Sequence, residues 1–148
     1  MENDKEQLLK MREEVRNKFC TVDEYKDDFK KINHVLIIDD DDISNYVTRK
    51  TLECYDIVNK TTVFDNPMEA LSFLKNCNNY PNIILLDIKM PVMNGFQFIE
   101  QFNKLNITST IFILSSSVYS KDKTKAKDCG IKYMAKPFKI NMFKNYLD

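Results

Sequence analysis

With 148 residues, 43% of them hydrophobic and 30% charged, the chain has the balance of one globular domain large enough to bury a core. The formal net charge is zero, which removes the electrostatic footprint of a nucleic-acid binder, and no apolar run reaches membrane-spanning length. The opening Met1-Glu2-Asn3-Asp4-Lys5 lacks a signal peptide's apolar core, so a cytoplasmic protein is expected, with Cys20, Cys54, Cys77 and Cys129 as reduced thiols without metal-ligand spacing.

Residues 1–33 mix both charges and read as a helical extension. Leu8, Met11, Val15, Lys18, Val22, Tyr25, Phe29 and Ile32 alternate spacings of three and four, a heptad pattern with Lys18 as its polar exception. Thr21-Val22-Asp23-Glu24 has the spacing of a capping box and would start a second helix. Two uses fit: an arm that makes a homodimer or docks a partner, or an extension packed on its own domain. His34, the one histidine, has no nearby partner and receives no role.

From residue 34 the order becomes regular. Val35-Leu36-Ile37-Ile38 is a buried strand that runs into Asp39-Asp40-Asp41-Asp42. A helix follows over 43–54, with Ile43, Tyr46, Val47 and Leu52 near helical spacing and Asp41 or Asp42 as its cap. Residues 57–64 form a more polar strand, suited to an edge. Asp65-Asn66-Pro67 starts a helix that turns Met68, Leu71 and Leu74 inward. Residues 82–86 make a third strand, whose apolar run ends at Asp87; Pro91 and the Asn94-Gly95 turn then punctuate the chain.

Phe96, Ile99, Phe102 and Leu105 mark the next helix, and residues 110–114 a fourth strand ending at Ser115-Ser116-Ser117. Ser120 caps a lysine-rich helix over 121–129, stopped by Gly130. A fifth strand over 131–135 ends at Lys136-Pro137, and a closing helix spans 138–147, with no further folded domain expected after it. Strands alternating with helices predict a doubly wound, mostly parallel α/β domain over 34–148.

Four strands end in a polar group: Asp39-Asp40, Asp87, Ser115 and Lys136. The carboxyl ends of an open parallel sheet share one edge, so these side chains can meet. Clustered carboxylates raise one another's pKa unless a cation sits among them, and oxygen-only donors suit Mg²⁺ rather than zinc. A carboxylate beside such an ion can attack phosphorus, while Lys136 and the Ser115 hydroxyl neutralise phosphoryl oxygens.

Val35-Leu-Ile-Ile-Asp39-Asp40, Leu85-Leu-Asp87-Ile-Lys-Met-Pro-Val-Met-Asn-Gly95, Ile113-Leu-Ser115 and Tyr133-Met-Ala-Lys136-Pro-Phe138 resemble the receiver domain of bacterial response regulators, in order and spacing over 34–148. The resemblance implies a flavodoxin-like five-stranded sheet of order 2-1-3-4-5, for which the chemotaxis regulator is an established example. It implies that Asp87 accepts a phosphoryl group from a histidine kinase or a histidine phosphotransfer protein. Asp39, Asp40, Asp87 and the backbone carbonyl of Lys89 would hold Mg²⁺, and Lys136 would pair with the phosphoryl group. Ser115 and Tyr133 would form the switch, altering the fourth helix, fifth strand and fifth helix for a downstream protein target.

The family's commoner Thr is here Ser115, which keeps the hydroxyl, and Lys89 and Ser117 stand where the family tunes dephosphorylation. The expected protein is a stand-alone cytoplasmic signalling receiver, neither a conventional enzyme nor attached to a DNA-binding domain or membrane. A relay intermediate passing the phosphoryl group onward and a non-phosphorylated scaffold are the alternatives. A hydrolase of the haloacid-dehalogenase type would need Asp where Lys89 stands.

Overall fold

The computed structural model of the protein describes residues 3, 5–7, 9, 10 and 31–143. Within them one parallel sheet holds β1 (Ile32–Ile38), β2 (Val58–Phe64), β3 (Ile83–Leu86), β4 (Thr110–Ser115) and β5 (Lys132–Ala135). Their spatial order is β2-β1-β3-β4-β5, and α1 (Asp42–Tyr55), α2 (Pro67–Asn76), α3 (Gly95–Asn103) and α4 (Ser120–Asp128) connect them. This is the doubly wound parallel arrangement that the alternation of apolar runs predicted, in the flavodoxin-like order that the receiver resemblance implied.

Alternation along each strand splits the core into two layers. Leu36, Ile38, Ile84, Leu86, Ile111 and Ile113 face α2, α3 and α4, packing against Leu71, Leu74, Phe98, Phe102 and Ala126. Val35, Ile37, Ile83, Leu85, Phe112 and Leu114 face the other way, against Leu52 of α1 and Phe138, Ile140 and Phe143 near the end of the described chain. Both faces of β3 are covered, which explains its unbroken Ile-Ile-Leu-Leu, whereas β2 is an edge strand with exposed Asn59 and Lys60. Burying a large apolar side chain contributes about 1.5–3 kcal/mol, so α4, which buries only Ala126, is the most weakly anchored of the four helices.

Several sequence expectations are corrected. β1 opens at Ile32, inside the stretch assigned to the N-terminal extension, and Ile32 N donates to the Ile57 carbonyl at 2.8 Å. The last heptad position is therefore a strand residue; the described residues among 3–10 are helical, and the rest of the heptad and the capping box lie outside the described residues. In α1 the inward face is Asn45, Thr48 and Leu52, with Ile43 and Tyr46 exposed. Met68 is likewise half-exposed at the start of α2, where the cap is Asn66 and the buried residues are Pro67, Ala70, Leu71 and Leu74. Ser120 is the first residue of α4 rather than its cap.

The last helix begins at residue 141, not 138, and its end lies outside the described residues. Cys54 is disulfide-bonded, against four reduced thiols, while Cys77 and Cys129 are free.

Candidate functional site

Strand register delivers the polar ends to one place. Ile38 pairs with Leu86 and Leu86 with Ile113, so Asp39 and Asp87 follow side by side at the carboxyl edge, with Ser115 two residues beyond Ile113 and level with Ala135. Backbone bonds continue beyond the strands and fix them: Asp39 N donates to the Phe64 carbonyl (3.1 Å), Asp87 N to the Ile38 carbonyl (3.0 Å) and Lys136 N to the Ser115 carbonyl (3.0 Å). The Lys136-Pro137 peptide is cis.

Asp39 and Asp87 are buried, Asp40 is exposed, and one carboxylate oxygen from each lies within 4.8 Å of the others. The Lys136 ammonium reaches into this group, 2.5 Å from Asp39 Oδ2 and 3.7 Å from Asp87 Oδ2. Asp41 N donates to Asp39 Oδ1 and Ile88 N to Asp87 Oδ1, each at 2.9 Å. Burial, and next the Asp39 charge, raise the Asp87 carboxyl above its usual range; Lys136, the Ile88 amide and the Ser115 hydroxyl work against that rise. Three carboxylates against one ammonium leave excess negative charge, and oxygen donors alone at this spacing fit Mg²⁺.

The loop after Asp87 folds back on it. Gly95 N donates to the Ile88 carbonyl at 2.8 Å, and a Cβ at Gly95 would stand 2.5 Å from the Asp87 carbonyl oxygen. Gly95 is not a turn glycine: it is the first residue of α3, required by close backbone approach. Asn94 is the cap, and its side chain and Gln97 exchange hydrogen bonds in a capping box. Met93 N donates to the Pro91 carbonyl at 2.8 Å across Val92, a γ-turn that puts exposed Val92 at φ 72°. Lys89, whose carbonyl the resemblance assigned to the metal, projects its ammonium over the Tyr119 ring, 4.5 Å from its centroid.

Buried Ser115 lies beside Asp87, and Ser117 N donates to Ser115 Oγ at 3.2 Å. The Ser117 hydroxyl donates to Asp122 in the first turn of α4, and its carbonyl accepts from the half-buried Tyr133 hydroxyl. Sequence reading did not find this Ser117–Asp122 link; a hydroxyl just ahead of a helix with an acid in its first turn is the signal that marks it. Nor did it find Asn45, whose Nδ2 donates to the Asp39 carbonyl at 2.7 Å, because apolar periodicity is silent about a buried amide. His34 is structural: its Nε2 and Thr62 Oγ1 stand 2.8 Å apart, and its ring meets Phe73 edge-on.

Known proteins carry the same pattern. The chain is 32% identical over 107 residues to the sensor histidine kinase CheAY of Helicobacter pylori, covering 70% of this chain but 13% of that protein. It is 28% identical to two-component response regulator 24 of Arabidopsis thaliana, over 72% of this chain and 75% of that one. A crystal structure of a two-component response regulator from Cytophaga hutchinsonii superposes with a TM-score of 0.70 at 31% identity, covering 78% of this chain and 93% of the other. Residues 35–148 match the response regulator receiver domain model, and the chain belongs to that family.

Proposed function

We propose that the protein takes a phosphoryl group onto Asp87 from a histidine kinase or a histidine phosphotransfer protein. One observation supports this most: a buried carboxylate at the end of β3 faces the Lys136 ammonium across 3.7 Å, with Asp39 and Asp40 beside it. An Asp87 oxygen attacks phosphorus, the bond from phosphorus to the donor imidazole nitrogen breaks, and its electron pair leaves with the imidazole. Lys136 meets one phosphoryl oxygen and the Ser115 hydroxyl another, so both groups stabilise charge carried in the transition state.

Asp39, Asp40, Asp87 and the Lys89 carbonyl would hold Mg²⁺, which when bound supplies charge neutralisation at the phosphoryl oxygens. Because Asp87 attacks as the anion and its pKa is raised, uptake falls as the solution is acidified.

After transfer, Ser115 moves toward the new charge and Tyr133 follows, reshaping the face of α4 and β5 that a downstream protein reads. Asp39, Asp40, Asp87, Ser115 and Lys136 in one place favour a working receiver over a scaffold, and no substrate turnover is expected beyond slow loss of the phosphoryl group. The receiver would run from Ile32, where β1 opens, rather than from residue 34, and the residues before it would be a separate extension that docks or dimerises. A cytoplasmic location fits the receiver chemistry, and no helix among the described residues is long and apolar enough to cross a membrane; the Cys54 disulfide is the feature against it. Incubating the protein with a small acyl phosphate and Mg²⁺ should add one phosphoryl mass to the intact chain. A gain that persists in Asp87→Asn would overturn the assignment.

A further inference from the structure

We propose that Tyr119 is a positioning residue: its ring holds the Lys89 ammonium away from the acid cluster and so leaves Asp39, Asp40 and Asp87 open to a divalent cation. The inference rests on the metal site of the receiver reading. Asp39, Asp40 and Asp87 each bring a carboxylate oxygen within 4.8 Å of the others, and among the described residues Lys136 is the ammonium that pairs with them. Lys89 follows Asp87 by two residues, and a second ammonium on a flexible stem is the obvious counter-charge for the excess. It is not used that way. Among the described residues Lys89 forms no ion pair, and its Nζ stands over the Tyr119 ring, 4.5 Å from the centroid.

Tyr119 is placed for that contact and not for capping. It stands at the cap of α4, where a short polar side chain would bond the free amides, yet its side chain makes no capping bond and is 61% exposed. Its backbone is held instead. Tyr119 N donates to Ser117 Oγ at 3.4 Å, Asp122 N donates to the Tyr119 carbonyl at 3.2 Å, and Ser117 N donates to Ser115 Oγ at 3.2 Å. The ring is thus carried on the loop that leaves β4 beside Asp87, and it meets a cation from the loop that leaves β3.

Charge decides what this placement does. A lysine paired with Asp40 or Asp87 would occupy carboxylate oxygens that a cation needs, and would cancel part of the charge that draws the cation in. Over an aromatic ring the ammonium is satisfied by the negative face, and no carboxylate is used. Such a contact at an exposed site biases an equilibrium by roughly two- to fivefold. Without the ring, the ammonium turns to the acids and Mg²⁺ has to displace it.

The test uses the full chain, with Mg²⁺ titrated at constant ionic strength and followed at the ¹⁵N amide of Ile88, and with the Lys89 ε protons read by NMR. Ring current should hold those protons upfield in the wild type. Tyr119→Leu should return them to their ordinary position and raise the Mg²⁺ Kd about two- to fivefold. Tyr119→Phe keeps the ring and should keep both readings. In a Lys89→Gln background, Tyr119→Leu should leave the Kd where Lys89→Gln alone puts it. Uptake from a small acyl phosphate should slow in Tyr119→Leu at limiting Mg²⁺ and recover when Mg²⁺ saturates. Lys89 protons at their ordinary position in the wild type, or an unchanged Kd in Tyr119→Leu, overturn the proposal in a protein that still binds Mg²⁺. A Kd that rises just as far in the Lys89→Gln background overturns the route through Lys89 and leaves Tyr119 a structural residue. A wild-type chain that binds no Mg²⁺ overturns the metal reading itself, and this inference with it.

Discussion

Replacing Asp87 by Asn should make the resting protein more stable while removing its chemistry. Asp87 is 7% exposed and shares its site with two other carboxylates and one ammonium. At an effective dielectric near 20, unit charges 4.8 Å apart repel by about 3.5 kcal/mol, and opposite charges at the 3.7 Å of Lys136 attract by about 4.5 kcal/mol. Lys136 therefore offsets roughly one carboxylate neighbour. The screened charge of exposed Asp40 and the burial of Asp87 remain uncompensated, a net cost of about 1–2 kcal/mol. An Asn at this position keeps an oxygen to accept from the Ile88 amide and the Ser115 hydroxyl.

In chelator at neutral pH, Tm should rise by roughly 3–6 °C, by calorimetry or circular dichroism. The pH dependence carries a sign. Because the folded pKa of Asp87 lies above its ordinary 3.8, the folded state binds the proton more tightly, and wild-type stability from this group falls as pH rises from 3.8 through the folded pKa. The gap between variant and wild type should thus vanish below 3.8 and open fully above the folded pKa. Mg²⁺ at a hundred times its Kd should stabilise the wild type by about 2.7 kcal/mol and the variant by less. An Asn variant less stable than wild type in chelator at neutral pH would refute the reasoning.

Three further substitutions probe the frame around the site. Gly95→Ala places a methyl 2.5 Å from the Asp87 carbonyl oxygen, so it should cost about 2 kcal/mol or more in urea unfolding and slow phosphoryl uptake, because two backbones must part. Val92→Gly should do the opposite: it relieves a β-branched residue at φ 72° and should raise stability by about 1 kcal/mol, with a higher urea midpoint and unchanged slope. Burial, and next the charge of Lys60, lower the pKa of His34 below 6.5. Its stability contribution is therefore present above pH 6.5 and declines as pH drops toward the folded pKa; His34→Gln should flatten that part of the profile, and an unaltered profile would exclude His34 as its source.

Apolar runs made the sheet legible, because β1, β3 and β4 are covered on both faces and each run stops at the polar residue that reaches the edge. The helices were less readable. In α1 the buried positions include Asn45, whose amide nitrogen holds the Asp39 carbonyl, and Thr48, so hydrophobicity marked the exposed Ile43 and Tyr46 instead. Gly95 was visible as a residue but not as a requirement: nothing local announces that the Asp87 backbone will lie against it. Likewise Asn94-Gly95 has the composition of a turn, and only the reciprocal bonds with Gln97 make it a helix start.

Under the proposed function, a change at Asp87 would reach the surface without moving the sheet. Ile113 is paired with Leu86 on one side and Tyr133 on the other, and Leu114 and Ser115 are paired with Met134 and Ala135 of β5, so the backbone of this strand resists displacement. Just beyond, restraint passes to side chains: Ser115 Oγ accepts from Ser117 N, Ser117 bonds Asp122 and Tyr133, and Lys123 lies over the Tyr133 ring. Those links end on α4, which contributes only Ala126 to the core. A Ser115 hydroxyl drawn toward a phosphoryl oxygen gives up its place as acceptor for Ser117. The cheapest response is then a shift of the Ser117–Asp122 pair with the helix it belongs to, since no large apolar side chain of α4 has to leave the core. Under the proposed function, weak anchoring of α4 would make it the part that moves.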